Sequence, residues 1–171
     1  KFERQALFDA LTNLPNRCGI QKFIDHEINR AKRQQEQLTL ILCDIDRFKQ
    51  VNDNYGHDGG DIALKHVADL FKEVIREQDG VARWGGEEFL FVLPTTNERN
   101  GVVLAEKIRE TLQATPVQIK NTSLTITASF GVAQIHLKNG LNNALSLADK
   151  ALYRAKEKGR NKVISASSLI T

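Results

Sequence analysis

The chain has 171 residues, 41% of them hydrophobic and 26% charged, enough for one domain with its own core and too apolar for a disordered segment. Lys and Arg number 24 against 21 Asp and Glu, a net charge of +3. So balanced a surface argues against a nucleic-acid polymer as partner, and leaves room for a small anionic ligand held by a local cluster. No apolar run is long enough to cross a bilayer, no signal-peptide pattern opens the chain, and two cysteines without zinc spacing predict neither metal finger nor disulfide.

In chain order, Ile20, Phe23, Ile24, Ile28 and Ala31 form a helical stripe over 19–34. LTLILCDI (38–45) reads as a buried strand, with Cys43 a small buried hydrophobe. DNYGHDGGD (53–61) reads as a loop, followed by a helix over 61–77 through Leu64, Val67, Ala68, Phe71, Val74 and Ile75. VARW and FLFVL read as a hairpin around Gly85, Gly86, Glu87 and Glu88. A helix over 98–113, a single strand over 123–135, a helix over 142–158 and a short strand at 162–165 complete the pattern. This order is best satisfied by an α+β fold, with helices layered on one face of a mainly antiparallel sheet.

The carboxylates carry the chemistry. Asp44 and Asp46 end the first strand two residues apart, and so point to one face of an extended chain. If the hairpin pairs beside that strand, Asp44 and Glu87 converge at one sheet edge. A few carboxylate oxygens completed by water and phosphate suit Mg²⁺, and a turn without side chains lets a flat, phosphate-bearing ligand lie against the backbone. A plain hairpin turn with solvated glutamates is the bland alternative. Between the two carboxylate groups, Lys49 offers a cation for phosphate, while Asn52 and Asp61 offer donors and acceptors for a base edge. An ionised Asp suits the N1–H and N2–H donors of guanine and does not suit adenine. Asn52 could equally be a turn former, and Asp61 the N-cap of the next helix.

Taken together, these motifs resemble the GGDEF-domain diguanylate cyclases. GGEEF (85–89) matches the signature, DALTNLPNR (9–17) an opening motif, and DIDRFKQVND (44–53) with YGHDGGD (55–61) a metal and guanine segment. SFGVA (129–133) resembles a late core strand, and ADKALYRAKEKGRN (148–161) the last helix and its phosphate-binding turn. The resemblance spans about residues 8–165. It implies a ferredoxin-like, polymerase-palm-like sheet flanked by helices, as in nucleotidyl cyclases. The implied reaction condenses two GTP into cyclic di-GMP and two pyrophosphates, each domain of a homodimer holding one GTP.

On that resemblance, Asp44, Glu87 and the Ile45 carbonyl are metal ligands for Mg²⁺ or Mn²⁺, two ions per site. Glu88 is the second catalytic carboxylate, as metal ligand or as base for the 3′-hydroxyl. Asn52 and Asp61 read guanine, with His57 also in the substrate site. Lys49, Lys156 and Arg160 bind the triphosphate, and Gly85 and Gly86 form the turn beneath the nucleotide. Arg76 and Asp79, an RxxD pair six residues upstream of the signature, resemble an inhibitory site for the product. An ordinary helix end is the alternative there. Lys107 stands where relatives often carry an arginine of the second inhibitory half-site, with Arg109 nearby.

The resemblance also implies that residues 1–8 end a linker helix from an upstream regulatory module and that 9–171 form the domain. A cytoplasmic location without membrane contact by the domain follows, though the full-length protein could be anchored through its upstream region. Two competing classes are a binding module that senses GTP or cyclic di-GMP and a dimerisation domain. The intact carboxylates and glycines argue against both.

Overall fold

The computed structural model describes residues 6–170. A five-stranded sheet runs in the order β2-β3-β1-β6-β7. Its strands are β1 (Leu38–Ile45), β2 (Gly80–Arg83), β3 (Glu88–Pro94), β6 (Ala128–Gln134) and β7 (Val163–Ser165). Only the β6–β7 pairing is parallel. A separate hairpin is formed by β4 (Val117–Ile119) and β5 (Thr122–Leu124). The helices are α1 (Arg17–Gln34), α2 (Phe48–Val74), α3 (Glu98–Ala114) and α4 (Gly140–Glu157), and a 3₁₀ turn covers Ala166–Ile170.

β1 is buried along its whole length because both of its faces are covered. Leu38, Leu40 and Leu42 pack with Ile20 and Ile24 of α1 and Ala144, Ala148 and Leu152 of α4. Ile41, Cys43 and Ile45 pack with Leu64, Val67 and Phe71 of α2 and Ile108 and Leu112 of α3. The alternation follows from the two-residue period of a strand. Helices therefore cover both faces, which corrects the expectation of a single covered face. A continuous apolar run such as LTLILC is the mark of a strand buried on both sides.

Local signals place the helix ends. The Asn16 side chain accepts the Gly19 N–H at 2.9 Å, and the Asn97 side chain accepts the Asn100 N–H at 2.8 Å, starting α1 and α3. The stretch expected as one strand over 123–135 is divided. Lys120 and Asn121 both adopt positive φ, 48° and 67°, which supports the two-residue turn of β4–β5, and the main-sheet strand starts only at Ala128. The expected loop over 53–61 is also corrected. It lies within α2, which begins at Phe48 and breaks at Gly56 (φ 74°, ψ 175°).

Of the linker helix expected over 1–8, residues 1–5 lie outside the described residues. Residues 6–8 are not helical, and Phe8 bridges to Pro15. Cys43 is buried as expected; burial, then the nearby carboxylates, push its thiol well above the usual range. No helix among the described residues is long and apolar enough to cross a membrane.

Candidate active site

The β1–β3 register sets Asp44 opposite Glu88 and Cys43 opposite Phe89. The Ile45 N–H donates to the Glu87 carbonyl at 3.1 Å, so the signature turn docks on the end of β1. On the other side of β1, Asp44 lies opposite Ser129 of β6. The sheet thus brings Asp44, Ile45, Glu87 and Glu88 together at the end of its central strand; of these, the convergence of Asp44 and Glu87 is the one expected from the spacing.

Lys156 reaches the same place from α4 and forms an ion pair and hydrogen bond with Asp44. Its position depends on Gly131. A Cβ there would lie 2.1 Å from the Ala148 carbonyl oxygen and 2.6 Å from the Leu152 nitrogen. Any side chain at 131 would push α4 off the sheet and lift Lys156 away from Asp44.

Burial raises the pKa of Asp44. Lys156 opposes the rise, and the charges of Glu87 and Asp46 add to it. Burial likewise raises Glu88, then the Asp44 charge, with Lys156 opposing. Two carboxylates forced together at a half-dry strand end favour a cation between them. Hard oxygen donors of this kind suit Mg²⁺ or Mn²⁺. Among the described residues, no group of three or more His, Cys, Asp or Glu side chains is arranged to hold a metal ion. The protein's own donors fit a divalent ion only with further oxygens from water or a phosphate ligand.

The two glycines of the turn act through space rather than through backbone torsion, since neither has positive φ. A Cβ on Gly85 would stand 3.1 Å from Glu88 Oε1, whereas nothing lies within 4 Å of one on Gly86. The turn is braced from the opening motif over 9–17. Arg83 donates from Nε to the Gly86 carbonyl at 2.9 Å and from Nη1 to the Asp9 carboxylate at 3.1 and 3.2 Å. The Arg17 guanidinium lies 4.0 Å from the Trp84 ring centroid. The motif over 9–17 is a brace for the signature turn.

Asp46, expected to open onto the same face as Asp44, is instead occupied. It accepts from Thr127 Oγ1 at 2.8 Å, Ser129 Oγ at 2.6 Å and the Asn161 N–H at 2.9 Å. It ties β6 and the turn after α4 to the end of β1.

The proposed guanine readers sit on α2. Lys49 and His57 are exposed, Asn52 is half-buried and Asp61 is exposed. Asp61 lies inside the helix, so it is not the N-cap. The break at Gly56 folds the two halves of α2 closely together. A Cβ on Gly60 would fall 1.9 Å from Asn52 Oδ1, and one on Gly59 2.4 Å from Tyr55 Cβ. Glycine at 60 lets the Asn52 side chain lie against the helix backbone one residue before Asp61. Their helical role was hidden because glycine, asparagine and aspartate together read as loop. Arg160 sits in the turn after α4 at φ 65°.

Arg76 and Asp79 are already paired with each other. The fully buried Asp79 carboxylate accepts from the Arg76 backbone N–H at 3.0 Å and from its guanidinium at 2.8 and 3.1 Å. Arg76 also donates to the Pro94 carbonyl and to Thr96 Oγ1. Its half-exposed remainder opens on a cleft of about 330 Å³ shared with Thr95, Asn100, Val103 and Lys107. Arg109 points elsewhere, to Glu106 and Asn161. Of the two residues considered for the second inhibitory half-site, Lys107 lines the cleft beside Arg76 and Arg109 does not.

Residues 6–162 match the family model described as diguanylate cyclase, GGDEF domain. The chain belongs to the GGDEF family. This GGDEF domain is 39% identical over 160 residues to the diguanylate cyclase DgcP of Pseudomonas aeruginosa, covering 94% of the chain and 24% of DgcP. It superposes on the GGDEF domain of DgcB from Caulobacter crescentus, solved in complex with c-di-GMP, with a TM-score of 0.90, 32% identity and coverage of 97% and 96%. The active GGEEF domain of a Vibrio cholerae diguanylate cyclase is similar at a TM-score of 0.81 and 36% identity, covering 88% of this chain and 96% of that one. The central, mainly antiparallel sheet flanked by helices is the architecture of these structures. The chain spans 24% of the length of DgcP and 51% of that of a probable diguanylate cyclase, DgcF, of Escherichia coli.

Proposed function

We propose that this domain is the catalytic part of a diguanylate cyclase. It condenses two GTP into cyclic di-GMP and two pyrophosphates, with each domain of a homodimer contributing one GTP. The observation that carries this reading is the Asp44–Glu88 register pair with Lys156 over it. Such a pair is costly to build and leaves the two carboxylates short of a cation.

Asp44, Glu87, Glu88 and the Ile45 carbonyl would hold Mg²⁺ or Mn²⁺, two ions in the proposed count, together with water and phosphate oxygens. When bound, such an ion supplies Lewis-acid activation of a hydroxyl and charge stabilisation at phosphate. Glu88, with its raised pKa, is suited to taking the 3′-hydroxyl proton or to completing the oxygen set. Lys156 exchanges Asp44 for the triphosphate, and Lys49 and Arg160 bind the same chain of phosphates. Asn52, whose side chain lies against Gly60, and Asp61 read the guanine edge, with His57 also in the substrate site. Gly85 and Gly86 leave the turn bare for the nucleotide.

Cyclic di-GMP is proposed as product and inhibitor at the Arg76–Lys107 cleft. Asp79 serves there chiefly to hold Arg76, so guanine would meet the exposed side of the arginine. Neither a nucleic-acid polymer nor a membrane is a proposed partner, and a cytoplasmic location is proposed.

The test is incubation of the purified domain with GTP and Mg²⁺ over a protein-concentration series, with products identified by chromatography and mass. Cyclic di-GMP made at a rate rising faster than linearly with protein supports a cyclase acting through a weak dimer. GTP recovered intact, also after fusion to a dimerising helix pair, would overturn the reading.

A further inference from the structure

The turn that carries Arg160 has an unusual backbone. Gly159, Arg160 and Asn161 all have positive φ, at 115°, 65° and 48°. For residues with a Cβ this region is costly and persists only where the surroundings fix it. The first half of the turn closes on α4, with Arg160 N–H donating to the Ala155 carbonyl at 3.0 Å and Gly159 N–H to that of Lys156 at 3.3 Å. Asn161 is held from two other directions. Its N–H donates to Asp46 Oδ2 at 2.9 Å, and its side-chain Oδ1 accepts from Arg109 Nη1 at 3.2 Å. Asn161 Nδ2 also donates to Gln113 Oε1 at 3.2 Å.

Arg109 is itself anchored. Its Nε and Nη2 donate to Glu106 Oε2 at 3.0 and 2.9 Å, and its side chain is only 18% exposed. Its planar fork leaves Nη1 directed at Asn161 and, at 3.4 Å, at Gln113 Oε1, a geometry that a flexible ammonium reproduces only in part.

We propose that Arg109 is a positioning residue for the triphosphate-binding turn. It acts from α3 through Asn161 to hold Arg160 in its left-handed backbone setting. Arg109 does not touch the nucleotide; it fixes the frame from which Arg160 does. The proposal rests on the functional reading above, and its signature is selective: phosphate affinity depends on Arg109 and guanine affinity does not.

The experiment compares wild type, Arg109→Ala and Arg109→Lys. Calorimetry measures binding of GTP, inorganic tripolyphosphate and GMP, turnover gives KM and kcat, and a melt reports folding. In Arg109→Ala, affinity for GTP and tripolyphosphate falls by roughly three- to tenfold, KM rises by a similar factor, GMP binding stays unchanged and the melting temperature stays near wild type. Arg109→Lys recovers part of the loss. Equal tripolyphosphate and GTP affinities in Arg109→Ala and wild type would overturn the proposal while leaving the cyclase reading intact. So would a parallel fall in GMP affinity, which reports general loosening. A wild-type domain that binds neither GTP nor tripolyphosphate would overturn both.

Discussion

Two basic–acidic pairs in this molecule look alike on paper and differ in kind. Arg76–Asp79 is a closed unit: the carboxylate is fully buried, it receives three hydrogen bonds from Arg76, and the guanidinium is further tied to Pro94 and Thr96. Lys156–Asp44 is a single contact between a point charge on a flexible stem and a carboxylate with a raised pKa beside Glu88. The first pair is organised for permanence. On the proposed function, the second is the pair exchanged for a stronger cation and a phosphate. The difference lies in side-chain chemistry, since the arginine fork locks bidentate geometry and lysine does not.

Breaking the exchangeable pair should cost activity and little stability. Asp44→Asn is expected to lower cyclic di-GMP formation by about 10³-fold while leaving the melting temperature equal to or above wild type, because a buried, poorly compensated carboxylate is removed. A melting temperature well below wild type would contradict that assignment. Breaking the closed pair should show the reverse. Arg76→Ala strands the buried Asp79 carboxylate and is expected to destabilise the domain by about 2–3 kcal/mol in urea unfolding, yet remain active with relieved product inhibition. Lys156→Ala should change stability by less than about 1 kcal/mol. Equal unfolding midpoints for the two alanine variants would erase the distinction.

A smaller effect is expected on α2. Gly60→Ala pushes a methyl into Asn52 Oδ1 and should raise the KM for GTP by roughly tenfold, read in steady-state kinetics, with kcat less affected. An unchanged KM would detach Asn52 from guanine recognition.

The smallest expected effect is a stability–pH profile that separates the site from its brace. Burial alone would raise the Asp9 pKa, but hydrogen bonds from Thr12 and Arg83 outweigh it and hold the carboxyl below the usual carboxylate range. Its contribution is therefore present above the pKa of the unfolded-state carboxyl and lost as pH falls through the lower, folded-state value. Asp44 and Glu88 are raised, so their effect runs the other way: protonating them favours the folded state, and that gain is lost as pH rises through their folded-state values. Asp9→Asn should remove the acid-side loss, and Asp44→Asn should reduce the loss on the rising side. Urea midpoints taken from pH 3 to pH 7 would check both signs, and superimposable profiles for the variants and wild type would refute them.

Much of this was legible before any coordinates. Helical periodicity placed α1, α3 and α4, and an unbroken apolar run placed β1, to within about two residues; α1 and α3 also carry a local cap. The strand-end Asp44 and the GGEEF turn were likewise readable as converging groups. The misreadings share a cause. DNYGHDGGD looked like a loop because its glycines serve a contact between two halves of one helix, a reason no local pattern contains. Asp46 looked like a second open carboxylate because alternation gives direction and not occupancy; Thr127, Ser129 and Asn161 reach it only in the folded chain. Arg109 and Lys107, two residues apart, could not be told apart by charge, and the turn of α3 assigned one to Asn161 and the other to the Arg76 cleft.

By itself, then, the sequence determined the main helices, the burial of β1 that its unbroken apolar run encodes, and the identity of the charged groups at that strand's end. Those properties are set by residues close together in the chain, through side-chain period and backbone preference. The tertiary structure decided which carboxylate stays exchangeable, which arginine braces which turn, and how closely α4 rides on Gly131. Each of these depends on atoms brought together from distant segments, where a single methyl group or hydrogen bond selects between a free group and a fastened one.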